Sequence, residues 1–286
     1  GPRGPFGEWS QKLPRDQSTT GPVAPGFGRL PVAFCAMHVL VLGNSDTQGR
    51  FVEGETWPGV VREVLSAQTD EPVTVTEAGF SAVSTAGAAF AERKIRELEP
   101  DLVILPLGTF AFTVGCTWKR VERLLGKRIG SRYRSAEEAF DRHTRERGHE
   151  PPRLNRLARK TIRRAIGTQP LISQKRLTQN YTDIIHAVAR VEHVDLVLVA
   201  YPPEEGKHVT VRHIARRRAD FLRDITAAAR QHRYAVVDSA PLFSAAAPGA
   251  DLLTADGFHL QLAGHELLGT AVAAAVTARR TAGAQL

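Results

Sequence analysis

A chain of 286 residues with 42% hydrophobic content can bury one large core and still carry an inserted subdomain. No apolar run reaches the roughly 18 residues that span a bilayer, which excludes a membrane-spanning helix, and two cysteines, Cys35 and Cys116, exclude a disulfide framework or a cysteine zinc cluster. The formal charge of +8 is uneven, because residues 118–176 hold 18 Lys/Arg against six Asp/Glu.

Residues 1–30 are rich in Gly, Pro, Ser and Thr and show no apolar period, so residues 1–36 are expected to form a disordered leader. It reads either as a flexible extension or as a segment ahead of a start at Met37, the only methionine. No charged stretch followed by an apolar run and a small-residue cleavage site is present, so a cytoplasmic location is expected. One domain is then expected over residues 37–286.

From Met37 onward, strand and helix patterns alternate. His38–Leu42 is a continuous apolar run, as in a strand covered on both faces. Thr56-Trp57-Pro58 reads as a helix start with proline in the first turn, followed by Val60, Val61, Val64 and Leu65 on one face. Val73–Thr76 is a second strand, a helix runs from about Thr85 to Leu98, and Leu102–Leu105 is a third strand. A basic helical insertion occupies about 112–176. After it come a helix at Tyr181–Val191, a strand at Val194–Ala200, a helix at Ile214–His232, a strand at Tyr234–Val237 and a closing helix at Leu260–Ala278. Five strands alternating with helices predict an α/β fold, with a five-stranded parallel sheet covered on both faces.

In open sheets of this kind, ligands bind beyond the carboxyl ends of the strands. Ser45 follows the first strand, Gly79 the second and Gly108 the third, while Asp256 and His259 lie in the loop after the fifth. A serine hydroxyl becomes a useful nucleophile when a base takes its proton, and an imidazole oriented by a carboxylate is a suitable base. In Asp256-Gly257-Phe258-His259 a carboxylate precedes a histidine by three residues, so Ser45, His259 and Asp256 together suggest a serine hydrolase. The backbone N–H groups of Ser45 and Gly79 are candidate oxyanion donors. Taken singly, Gly-Asn-Ser-Asp is ordinary turn composition and Asp-x-x-His an ordinary surface pair. Their order within the alternating pattern sets them apart. The chain lacks a G-x-S-x-G elbow and a phosphate-binding glycine loop, which argues against an α/β-hydrolase and against a nucleotide site.

These segments resemble the SGNH, or GDSL-type, hydrolases. Gly43-Asn44-Ser45 with Thr47 and Gly49 is similar to the family's first block, Glu77-Ala78-Gly79 to the second, and Asp256-Gly257-Phe258-His259 with Gly264-His265 to the last. The resemblance spans about residues 37–110 and 177–280. It implies a flavodoxin-like three-layer α/β/α sandwich, and an esterase, lipase, deacetylase or acyltransferase acting on an ester, thioester or amide without a cofactor. One block departs from the pattern. Where the third block has an asparagine that donates to the oxyanion, this chain has Phe110 in Gly108-Thr109-Phe110-Ala111. Phenylalanine offers no donor. Thr109, Asn44 or Asn180 is then a candidate substitute; otherwise the enzyme is slow, or the protein is a weakened member that binds an anionic ligand.

Within the insertion, Arg120, Arg123, Lys127 and Arg128 recur at roughly helical spacing, as do Arg156, Arg159, Lys160 and Arg163. This reads either as a solvated face on a lid or as a patch for an anionic or carrier-bound acyl substrate. Sparse aromatics give little support to a nucleic-acid platform.

Overall fold

Apolar runs that need cover on both faces build the centre of this molecule. The computed structural model describes residues 37–43, 47, 53–69, 72–113, 115–147, 161–162, 164–203, 214–246, 250–254, 257 and 259–283. The expected leader lies outside them, and Cys35–Leu286 form one compact unit. Strands β1 (Met37–Gly43), β2 (Val73–Gly79), β3 (Leu102–Leu107), β6 (Asp195–Ala200) and β7 (Ala235–Asp238) make one parallel sheet in the order β2-β1-β3-β6-β7. This is the predicted α/β architecture.

Alternate residues of each strand feed two cores. Leu40, Leu42, Val103, Leu105 and Leu198 face α2 (Gly87–Leu98), α6 (Gln174–Ala189) and α7 (Ile214–Gln231). Val39, Val41, Ile104, Val197 and Val199 face α1 (Trp57–Thr69) and α9 (Leu262–Gly283). A period of two splits each apolar run between the faces, and this makes a parallel strand apolar throughout.

The connection after β3 begins with the short α3 (Phe110–Thr113), anchored by Phe112, whose ring lies 5.4 Å from that of Phe221 on α7. A two-residue strand β4 (Gly115–Cys116) pairs antiparallel with β5 (Gln169–Pro170), so the insertion leaves and rejoins the body through a narrow ribbon. Between them run α4 (Thr117–Leu125) and α5 (Lys127–Arg147), separated by Gly126 at φ 87°. The helical spacing expected across Arg120–Arg128 is therefore broken at a corner that only glycine adopts readily. A last short helix, α8 (Ala240–Ala245), follows β7.

Helices α1 and α9 meet closely, since a Cβ on Gly269 would lie 2.8 Å from the Trp57 carbonyl and 2.6 Å from Val60 Cβ. At the start of α1 the Trp57 N–H donates to Nδ1 of His265 at 3.2 Å, while Pro58 has no N–H to satisfy. His265 is buried, and burial pushes its imidazole down from 6.5 to about 4. A proton on Nδ1 would end the hydrogen bond and set a cation at a helix N-terminus, where the dipole opposes it. Below pH 6.5 the unfolded chain gains a proton that the folded protein does not accept until about pH 4. Stability is therefore complete above that window and falls as the pH drops through it, by on the order of 3 kcal/mol. Urea midpoints across the window should fall more steeply in the wild type than in His265→Gln; parallel slopes would contradict this.

Candidate active site

The central position of β1 organises this edge of the sheet. It lies between β2 and β3, with Gly43 in register with Gly79 and Val41 with Ile104. The end of β1 at Gly43 thus lies between β2 and β3. Asn44 and Ser45 themselves lie outside the described residues, as do Asp256 and Phe258. Thr47, two residues past Ser45, is buried and packs so closely on Gly43 that any side chain there would collide with it. Its hydroxyl is hydrogen-bonded to Glu77 of β2. Desolvation pushes Glu77 up to about 7 against the effect of that bond, and Glu55 raises it further. Glu77 nonetheless keeps open surface on the edge strand, so water screens what this adds to or takes from stability.

His259 is described and buried. A tight hairpin carries it: Leu253 and Leu260 form an antiparallel bridge, the Thr254 N–H donates to the His259 carbonyl at 2.8 Å, and the Gln261 N–H donates to Leu252 O at 2.9 Å. Gly257, at φ 78°, takes the left-handed turn inside it. Leu252 O also rests against Gly264, where a side chain would collide. Leu260, next to His259, packs in the same apolar cluster as Val41 and Trp57.

Gly79 ends β2 as expected, but its amide does not face β1. The N–H of Phe80 donates to Gly43 O at 2.7 Å, so the N–H of Gly79, one residue earlier, points to the open side of this edge strand. Any amide of this segment that reaches the end of β1 must come from the turn beyond Gly79. That turn is held from the side. Asn180 on α6 is buried, and its Nδ2 donates to Ala82 O at 2.6 Å and to Ser84 O at 3.5 Å. The Asn180 amide is thus engaged in holding this turn.

Its neighbour Tyr181 holds the other flank. The phenol oxygen accepts from the Gly108 N–H at 2.8 Å and donates to Pro106 O at 3.1 Å. Complete burial pushes the Tyr181 hydroxyl well above its ordinary range, so it stays protonated. Consecutive residues of one helix thus fix the exits of β2 and β3. Neither clamp is visible in the sequence, because the partners lie 73 to 98 residues away.

Phe110 opens α3 just past β3, 36% exposed, with its ring over Gly108. Thr109 is buried, and its N–H donates to Leu107 O at 3.1 Å. Of the basic positions, Arg120, Arg123, Lys127 and Arg128 stand on α4 and α5, whereas Arg156, Arg159, Lys160 and Arg163 lie outside the described residues. Among the described residues no group of three or more His, Cys, Asp or Glu could hold a metal ion.

Comparison with known proteins agrees with this architecture. Residues 41–267 match the model of a family described as GDSL-like lipase/acylhydrolase. No curated protein matches the sequence. A lipase/acylhydrolase from Enterococcus faecalis superposes with a TM-score of 0.53 at 16% identity, covering 85% of this chain and 96% of its own. A catalytic mutant of Axe2, an acetylxylan esterase from Geobacillus stearothermophilus, gives 0.51 at 14% identity, covering 84% and 94%. The lipase Lip_vut3 from a goat rumen metagenome gives 0.50 at 13% identity, covering 84% and 97%. At these identities the likeness establishes the fold.

Proposed function

The chain belongs to the GDSL-like lipase/acylhydrolase family, and from that footing we propose that it cleaves an acyl ester through an acyl-Ser45 intermediate. Ser45 Oγ attacks the acyl carbon while His259 takes its proton, and Asp256 holds the imidazole in one tautomer. His259 then returns the proton to the departing alcohol oxygen. Water, deprotonated by the same histidine, attacks the acyl-enzyme, and the serine leaves with a proton. The oxyanion of each tetrahedral intermediate is held by the Ser45 N–H and by an N–H of the turn that opens at Gly79. One observation supports this reading above the others: β1 lies between β2 and β3, with Gly43 in register with Gly79. Gly43, two residues before Ser45, therefore ends its strand beside two exits that Asn180 and Tyr181 hold in place.

The test is active-site labelling. A fluorophosphonate should add one covalent mass to the wild-type protein, on the Ser45 peptide, and stop turnover of p-nitrophenyl acetate in proportion. Undiminished turnover by labelled protein, or a label on another peptide, would remove Ser45 from the mechanism. Comparing acetyl with longer acyl esters under the same conditions then defines the substrate class.

A further inference from the structure

Three of the five large apolar side chains that are exposed among the described residues fall within six consecutive positions. Leu124 is 54% exposed, Leu125 56% and Ile129 48%. They stand on the last turn of α4 and the first turn of α5, on either side of the Gly126 corner. Soluble surfaces scatter such residues singly, and a cluster at one exposed corner marks a contact.

The charge around the corner is one-sided. Residues 117–136 contain Lys119, Arg120, Arg123, Lys127, Arg128, Arg132 and Arg134 against a single acidic residue, Glu122. Glu122 is itself paired with Lys119 at 3.2 Å. Among the described residues Arg123, Lys127, Arg128 and Arg132 form no ion pair. Trp118, partly buried near the base of α4, carries Lys119 Nζ at 5.2 Å and the Arg134 guanidinium at 5.0 Å from its ring centre. An amphipathic indole therefore stands among cations, below an aliphatic tip.

We propose that this hairpin corner docks on an anionic lipid surface, with Leu124, Leu125 and Ile129 entering the headgroup region and Arg123, Lys127, Arg128 and Arg132 meeting lipid phosphates. A soluble anion would use the cations and leave the aliphatic tip without a role. A nucleic acid would favour stacking aromatics in a groove over aliphatic side chains on an exposed corner. Apolar residues flanked by Lys and Arg are the composition of an interfacial segment. No described helix is long and apolar enough to cross a membrane, so the contact is peripheral. This docking does not depend on the hydrolase reading, although the β4–β5 ribbon joins the hairpin to the exit of β3.

Co-sedimentation with vesicles tests it. The full chain should bind vesicles of phosphatidylcholine mixed with phosphatidylglycerol, bind pure phosphatidylcholine poorly, and be released by high salt. Lys127→Glu/Arg128→Glu should weaken binding by at least roughly fivefold per residue, since each basic group near an anionic surface contributes about that factor. Leu124→Ser/Leu125→Ser leaves every charge in place and should weaken binding by roughly tenfold per residue. All four positions are exposed, so circular dichroism should show both variants folded as the wild type. Equal binding to the two vesicle types would overturn the proposal. So would undiminished binding by the leucine variant, or retention on heparin without binding to any vesicle.

Discussion

Alanine at Ser45 and alanine at His259 are each expected to lower kcat/KM for p-nitrophenyl acetate by on the order of 10⁴-fold, and the double variant by no more than either alone. The reason is that both changes produce the same defect. A hydroxyl without its base stays protonated, and a base without its hydroxyl has nothing to activate, so the second loss removes no further stabilisation. What remains over the uncatalysed rate comes from binding and from the amide donors near the end of β1, which neither variant alters. His259 is buried in the 252–261 hairpin, so a melting curve must accompany its variant. A native-like melt with lost turnover locates the defect in chemistry. A double variant that multiplies the two single effects would show that the residues act independently, which contradicts a shared proton transfer. Turnover by Ser45→Ala within tenfold of wild type would exclude the acyl-enzyme altogether.

The sheet was legible because its strands are continuous apolar runs, and each run marks a strand whose faces are both covered. All five predicted strands are present, although β2 continues through Glu77 and Ala78 to Gly79 and β3 through Pro106 to Leu107. Helix α6 starts at Gln174, seven residues before the expected Tyr181, because its first turns carry Lys175 and Arg176 on the solvent side and dilute the apolar period. Its cap was still readable in principle, since Ser173 Oγ accepts from the Arg176 N–H at 3.3 Å. The ribbon of β4 and β5 was not readable, because two-residue strands have no period to detect.

The site divides along the same line. Ser45 and the Asp256–His259 pair stand out in the sequence because a nucleophile, a base and an orienting group must be particular residue types; of the three, only His259 falls among the described residues. The direction of the Gly79 amide does not stand out, because it depends on which residue of β2 bonds Gly43, and a ladder phase leaves no mark in composition. Asn180 was singled out for its donor group alone. Its actual partners, Ala82 O and Ser84 O, are backbone carbonyls with no sequence signal. The consequence is structural: the Asn180 amide that donates to Ala82 O serves the turn beyond Gly79.

Trp57 joins stability to the site, and Trp57→Ala is expected to lower the folding free energy by about 3–5 kcal/mol. The side chain is completely buried, packed among Val61, Leu260 and Leu268, and its indole N–H donates to the Tyr201 hydroxyl at 3.1 Å. Removing it leaves a cavity at the start of α1 and takes away the group that meets a buried tyrosine oxygen. Against an ordinary domain stability of about 5–15 kcal/mol, that is at least roughly a fifth of the total. Trp57→Phe separates the two contributions, since it keeps most of the volume, loses the N–H and should cost about 1–2 kcal/mol. Urea midpoints for the two variants measure the difference, and a Trp57→Ala midpoint near wild type would refute the packing argument. Activity should follow the same order at temperatures where both variants remain folded. Leu260, next to His259, rests in the cluster that Trp57 fills, so a cavity there loosens the hairpin that carries His259, the base of the proposed mechanism. Trp57→Phe should keep most of the turnover, and Trp57→Ala should lose it through kcat with little change in KM.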